Sequence, residues 1–339
     1  MEAVARQFVS KDQHVMVLRN GWFSYRWTEI LDMMLPGNTH SVCKASPASA
    51  VTTTATGTTH QQFHPLPIED VCKRIAAERP SIFFCPHVET STGMILPDSY
   101  ISKVAEAVHA VGGLLVLDCI ASGTVWVDMQ QTGVDILISA PQKGWTGPPC
   151  AALVMLSSAA ADRMVDTTET SFAMSLKRWS AIMESYEKGG FGYHTTMPTD
   201  ALRDFHEVTA ETLQVGLPAL KEAQLSLGAQ ARAILDRKGL ISVAAPGFQA
   251  PGVLVYYSPD DTANPTMMQA FHQQGLQIAM GVPWKIDEPA GLKTFRIGLF
   301  GLDKLTHVER TLNIMENALD NVLEQTSATA GDGHQRARL

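Results

Sequence analysis

Two side chains sit where chemistry would be done. Asp118 closes the apolar run GGLLVLD, and Lys143 follows the apolar run of VDILISAPQKGWTGPPC. A carboxylate at the end of such a run needs a partner, because taking an unpaired charge out of water is costly. Lysine is among the residues least often buried, and Lys143 is rimmed by Gly144, Gly147, Pro148 and Pro149, which build a shaped loop. The two lie 25 positions apart, room for one crossover and one strand. Ligands of open α/β sheets collect at the carboxyl ends of strands, so both groups can face one crevice. They could form a buried ion pair, which perturbs pKa values without doing chemistry. They could also hold opposite ends of one ring. Pyridoxal phosphate needs a lysine amine for its aldehyde and a carboxylate at its pyridinium nitrogen.

Further groups converge on the same edge. Glu89-Thr90-Ser91-Thr92-Gly93 follows the apolar SIFFCPHV and supplies hydroxyls and a flexible turn. Arg296 interrupts TFRIGLF; its planar fork suits bidentate capture of a carboxylate, whether a substrate's or that of a structural Asp or Glu. His60 and His64 have metal-like spacing, but with no helix and no third ligand they read as solvated or supporting histidines.

The elements needed to position these groups follow from periodicity. HVMVL, HSVCKA, SIFFCPHV, GLLVLDC and VDILISA read as strands, with AALVMLS returning antiparallel. Amphipathic helices separate several of them: SYRWTEILDMML, IEDVCKRIAAE and ISKVAEAVHAVG. Near-continuous apolar strands between such helices predict an α/β fold with a mostly parallel sheet covered on both faces. The Thr-rich VTTTATGTTHQQFHP reads as a loop. The texture changes near 210–220, where the helical LPALKEAQLSLGAQARAILDRKGL leads to the shorter strands GVLVYYS and TFRIGLF and a last helix, HVERTLNIMENALDNVLEQ. We expect a large domain over 1–215, a smaller α+β domain over 216–325, and a disordered tail over 326–339.

Taken in order, these motifs resemble the class V aminotransferases of fold type I, in their alanine–glyoxylate and serine–glyoxylate branch, over about residues 1–325. The resemblance rests on six stretches: RNGWFSYRW, HVETSTG, LVLDCIASG, APQKGWTGPP, GYHTTMP and TFRIGLFG. It implies pyridoxal 5'-phosphate as cofactor, with Lys143 bonding its aldehyde and Asp118 holding its ring nitrogen. Phe23 would stack on one face of the ring (neighbouring Trp22 being the alternative) and Ile120 on the other. Thr90 would reach the ring hydroxyl, Gln142 would lie beside the cofactor, and Arg296 would clamp the substrate carboxylate. Tyr193 and Thr196 would reach the phosphate of a neighbouring subunit, which implies a homodimer. The implied reaction moves an amino group from a small amino acid of alanine or serine type to a 2-oxo acid such as glyoxylate or pyruvate. Relatives of lyase or desulfurase type usually carry His before the lysine, where this chain has Gln142.

Departures qualify the expectation. MEAVARQF resembles the helix that follows the family's Gly/Ser/Thr-rich phosphate loop, so the sequence reads as lacking that loop and the N-terminal arm. A missed start, a true truncation or a catalytically impaired paralogue would each account for this. Trp145, after the lysine, would narrow the substrate pocket. The remaining features narrow the class. A formal charge of −8 disfavours nucleic acid, and no apolar run is long enough to span a bilayer. Five cysteines without CxxC spacing read as core residues of a reducing compartment, with neither a disulfide framework nor a metal site. The final Ala337-Arg338-Leu339 matches the small–basic–Leu form of a peroxisomal address, so the expected location is the peroxisome or otherwise the cytoplasm.

Overall fold

The computed structural model describes residues 1–37, 40–53, 57, 59–259 and 264–336. Helix α1 (Glu2–Phe8) leads into strand β1 (Val15–Arg19), helix α2 (Trp22–Met34) and strand β2 (His40–Lys44). Strands β3 (Ser46–Thr53) and β4 (Thr59–His64) precede helix α3 (Ile68–Glu78), strand β5 (Ile82–Pro86), and the short strands β6 (Val88–Glu89) and β7 (Met94–Ile95). Helix α4 (Asp98–Ala110) and strand β8 (Leu114–Asp118) are followed by the turn α5 (Met129–Thr132) and strands β9 (Ile136–Ser139) and β10 (Leu153–Leu156). Helices α6 (Ser158–Val165), α7 (Leu176–Glu187) and α8 (Thr199–Val215) come next.

Six of these strands form one sheet in the order β10-β9-β8-β5-β1-β2, parallel except for β10. Alternation along each strand sends successive side chains to opposite faces. Met16, Leu18, Phe83, Leu115 and Leu117 pack under Val71 and Ile75 of α3 and Ile101 and Val104 of α4. Val15, Val17, Phe84, Val116 and Ile138 pack against Val4 and Phe8 of α1, Trp27 of α2 and Met164 of α6. Both faces are therefore buried, as the apolar strands require. The expected Thr-rich loop is instead an antiparallel hairpin, β3 against β4. Threonine is β-branched and fits a pleated surface, which outweighs the polarity that suggested a loop.

Gly216, at φ +95°, separates α8 from α9 (Leu217–Arg237). Beyond α9 come β11 (Val253–Tyr257), α10 (Asn264–Gln273), β12 (Ala279–Met280), β13 (Thr294–Gly298), α11 (Leu302–Thr306) and α12 (Val308–Arg336). β13 is central in an antiparallel sheet, between β11 and β12. This second unit has its own core, in which Leu227 and Ile234 of α9 meet Leu254, Phe271, Phe295 and Leu319. Helix α12 continues through Arg336, where the sequence suggested an unstructured tail from 326. Extending an existing helix adds a hydrogen bond per residue ordered and needs no new nucleus. The tripeptide Ala337-Arg338-Leu339 lies outside the described residues. Among the described residues no helix is long and apolar enough to cross a membrane.

Candidate active site

The site is assembled where β8 and β9 end side by side, parallel, with Asp118 opposite Ile138. Asp118 is 8% exposed. Its Oδ1 accepts from the Ile120 N–H at 3.0 Å, and its carbonyl accepts from the His87 N–H at 2.8 Å. Burial pushes the carboxyl up to about 6. The Ile120 N–H, the Met1 amino group and Arg26 pull it down, while the charge of Glu89 pushes it further up. Beside it, buried His87 contacts Ser122 Oγ through Nδ1 at 2.7 Å. Burial holds that imidazole down at about 3, so it is neutral at physiological pH.

Lys143 lies four residues past the end of β9, in a turn closed by Thr146 N–H to the Lys143 carbonyl (3.1 Å) and Gly147 N–H to the Pro141 carbonyl (2.9 Å). The following glycine is obligatory. A Cβ on Gly144 would stand 2.0 Å from the carbonyl oxygen of Gly123, so only a bare backbone lets the two strand-end loops touch. The ammonium of Lys143 is 5.5 Å from the centroid of the Phe300 ring. Burial lowers its pKa, and the like charge of Arg296 lowers it further. Neither Asp118 nor Lys143 is among the electrostatic partners of the other, which removes the buried ion pair as an account of their placement.

Arg296 is central in β13, half-buried, with Nε donating to the Met280 carbonyl at 2.8 Å. Its guanidinium lies 6.0 Å from the centroid of the Phe23 ring, and Arg26 approaches the same ring at 4.8 Å. Burial lowers its pKa while Glu89 opposes that. Among the described residues it forms no ion pair with an Asp or Glu, so its fork is not committed to a structural carboxylate there.

Glu89 is the residue that sequence reasoning undervalued. Its place in the sequence reads as part of a turn, yet it is fully buried and collects five donors. Oε1 accepts from Phe23 N–H (3.1 Å), Ser91 N–H (3.1 Å) and Ser91 Oγ (2.8 Å). Oε2 accepts from Ser24 N–H (2.9 Å) and Ser24 Oγ (2.6 Å). An anion at a helix N-terminus meets unsatisfied N–H groups and the positive end of the dipole. Glu89 therefore fixes the first turn of α2, and with it Phe23. Ser91 adds a bond from the Trp22 N–H (2.9 Å), and Thr92 Oγ1 donates to the Asn20 carbonyl (2.9 Å). A lone Glu inside an apolar strand end followed by hydroxyls was the available signal.

The other expected site residues fall into two groups. Ile120 and Gln142 line a cleft of about 400 Å³, with Ile138, Ala140 and Cys150 on its walls. Thr90 is half-buried in the turn between β6 and β7. Tyr193 and Thr196 lie in the connection between α7 and α8, and Tyr193 is 92% exposed, so their own chain does not bring them to the cleft. Trp145 packs at a tilt against Trp126 (4.8 Å) and edge-on against Phe205 (6.4 Å), among the large domain's own aromatics. His60 stacks on Tyr257 at 4.2 Å, and His64 Nδ1 contacts the Pro65 carbonyl at 2.7 Å. Among the described residues no cluster of three or more His, Cys, Asp or Glu could hold a metal ion.

The sequence profile of the family described as Aminotransferase class-V matches residues 42–255. The chain belongs to this family. Among the class V aminotransferases, the rabbit (Oryctolagus cuniculus) alanine–glyoxylate aminotransferase is 26% identical over 260 residues, 75% of this chain. The chain spans 64% of that relative's length. The 2-aminoethylphosphonate–pyruvate transaminase of Pseudomonas aeruginosa is 27% identical over 307 residues, covering 89% of this chain and 74% of that one. The crystal structure of an alanine–glyoxylate aminotransferase from Nostoc sp. superposes with a TM-score of 0.76 at 21% identity, over 94% of this chain and 78% of that one. A pyridoxal-phosphate-bound phosphoserine aminotransferase from Trichomonas vaginalis gives 0.65 at 15% identity, over 93% and 78%. Those likenesses, with the mostly parallel sheet, show the fold of type I aminotransferases.

Proposed function

We propose that this class V chain is a pyridoxal 5'-phosphate-dependent transaminase that moves an amino group from a small amino acid of alanine or serine type to a 2-oxo acid such as glyoxylate or pyruvate. The observation that carries the reading is the pair at the strand ends. A buried acid and a half-buried amine lie on neighbouring loops, and neither neutralises the other. The residues present fit the ring end of the cofactor. Asp118, raised by burial and without a cationic side chain in contact, would be stabilised by a protonated ring nitrogen. In this reading Ile120 and Phe23 would take the two faces of the ring, with Thr90 and Gln142 at its edge.

When bound, the cofactor supplies an electron sink for the charge left at the substrate α-carbon. The remaining steps belong to the protein. Arg296 receives the substrate carboxylate with two parallel N–H donors. Lys143, held by burial and Arg296 toward the neutral amine, takes the α-proton onto Nζ and gives it back on the far side of the transfer. Asp118 would hold the ring nitrogen in its protonated form, and the neutral His87–Ser122 pair braces the strand end that carries it.

The working unit in this reading is a homodimer in which Tyr193 and Thr196 reach the neighbouring subunit's cofactor phosphate. Support comes from the exposed apolar side chains of that stretch: Phe172, Met183, Tyr186, Phe191 and Tyr193, all more than half exposed. The closing Ala337-Arg338-Leu339 points to the peroxisome as its location. Incubation with pyridoxal phosphate, alanine and glyoxylate tests the reading. Pyruvate and glycine should accumulate with the wild type and not with Lys143→Ala. No product from alanine or serine with either 2-oxo acid would overturn it.

A further inference from the structure

Lys143 has a neighbour that the reading above leaves without a task. Phe300 presents its ring to the Lys143 ammonium at 5.5 Å, and among the described residues it is the one aromatic ring so placed. The ring belongs to the second unit, just past β13, and is firmly seated. A Cβ on Gly123 would stand 3.2 Å from two of its carbons, and one on Gly252 only 2.9 Å from it, so it fills the space that two bare backbones leave. The backbone around it is tied down as well. Leu299 N–H donates to the Gly252 carbonyl (2.9 Å), and Lys304 Nζ donates to the Phe300 carbonyl (2.9 Å). Leu302 N–H donates to Thr146 Oγ1 (3.0 Å), three residues past Lys143, where Thr146 is held at φ +60°. A side chain seldom adopts that backbone region without a compensating contact, and this bond supplies one.

The charged groups near the amine are few. Arg296 of β13 repels the ammonium, the charge of Glu89 acts on Arg296, and Lys304 donates to the Phe300 carbonyl. Among the described residues no carboxylate is seen to act on Lys143. Yet a lysine that takes a proton from the substrate α-carbon spends part of each cycle as an ammonium, which needs a favourable contact close by. The face of an aromatic ring carries negative charge density and attracts a cation, more strongly where water is excluded.

We propose that Phe300 is a positioning residue for Lys143: its ring holds the ammonium stage of the amine in the crevice and makes that hold depend on how the second unit seats against the Lys143 loop. The inference rests on Lys143 being the working amine. Its task is distinct from that of Arg296. Arg296 favours the amine and Phe300 the ammonium, and the balance keeps Lys143 able both to accept and to return a proton.

The experiment uses the full-length chain freed of carbonyl cofactor with hydroxylamine. Acetic anhydride labels amines only when neutral, so the extent of Lys143 acetylation across pH, read by peptide mass spectrometry, gives the midpoint of its titration. Phe300→Leu should lower that midpoint by about 0.5–1 unit, the size expected of a partly desolvated cation–π contact. Phe300→Tyr, which keeps the ring, should restore it, and Arg296→Gln should move it upward. Phe300→Met stands in if the leucine variant does not fold. An unmoved midpoint in a Leu or Met variant of unchanged melting temperature overturns the proposal, as does a tyrosine variant shifted as far as the leucine one. The titration needs no cofactor, so a protein that never takes up pyridoxal phosphate would overturn the transaminase reading and leave this measurement readable.

Discussion

Glu89→Gln is the substitution whose consequence can be worked through most fully. The carboxylate accepts five hydrogen bonds, three on Oε1 and two on Oε2. A glutamine carbonyl placed at Oε1 keeps its three donors, but the amide NH2 then faces the Ser24 N–H, donor against donor. The Ser24 hydroxyl can reorient, since it already donates to the Gly21 carbonyl at 3.0 Å. One buried N–H is left without an acceptor, at about 1–3 kcal/mol, and the surviving bonds lose their charge assistance. Removing the anion from the helix N-terminus costs up to about 2 kcal/mol more. The sum is roughly 3–5 kcal/mol, which for a chain of this size, unfolding with an entropy of about 0.7 kcal/mol/K, lowers the melting temperature by about 4–7 °C. Phe23 should also lose its fixed place, because its own N–H is one of the five donors. Calorimetry at neutral pH measures the first effect, and the dissociation constant for pyridoxal phosphate, expected to rise, measures the second. A variant melting within about 2 °C of the wild type, with unchanged cofactor affinity, would show that the buried carboxylate does not organise the start of α2.

Two further predictions concern charge. Asp118 has a folded-state pKa of about 6 against an ordinary value of 3.8, so the folded protein binds this proton more tightly than the unfolded chain. Stability therefore falls as pH rises through that window, and the cofactor-free protein is penalised above it by at most about 3 kcal/mol. Asp118→Asn, which cannot ionise, should make the cofactor-free protein more stable than wild type at pH 7.5 in urea titrations, with the gap closing below about pH 4. Equal stabilities at pH 7.5 would contradict the buried charge. Arg296→Gln should raise the KM for the amino donor about 100-fold or more, through loss of a bidentate, charge-assisted pair, and steady-state kinetics would report it. An unchanged KM would mean another group holds the carboxylate.

Much of this was legible before the fold was known, for identifiable reasons. The sheet could be read because Val15, Met16, Val17 and Leu18 are apolar on both faces, a pattern that only a doubly covered strand sustains. Asp118 and Lys143 stood out because each breaks or ends such a run. The β3–β4 hairpin was missed because its threonines look polar in composition while their branching favours a strand. The role of Glu89 was hidden for a different reason. Three of its five donors, on Phe23 and Ser24, lie 66 and 65 positions away, on a helix start that only the tertiary fold brings to it. Phe300 was equally silent, since TFRIGLF reads as an ordinary strand and nothing local ties its ring to an amine 157 positions earlier. The positions of Tyr193 and Thr196 follow from a single chain's geometry, which leaves them in solvent, away from the cleft.

The central claim is that Lys143 bonds a carbonyl cofactor whose ring nitrogen meets Asp118. Borohydride reduction of the protein after incubation with pyridoxal phosphate, followed by peptide mass spectrometry, tests it most directly. A pyridoxyl mass on the Lys143 peptide is expected at near-stoichiometric yield, absent from Lys143→Ala and reached only at higher cofactor concentration in Asp118→Asn. A label spread over surface lysines, with Lys143 unmodified, would contradict it.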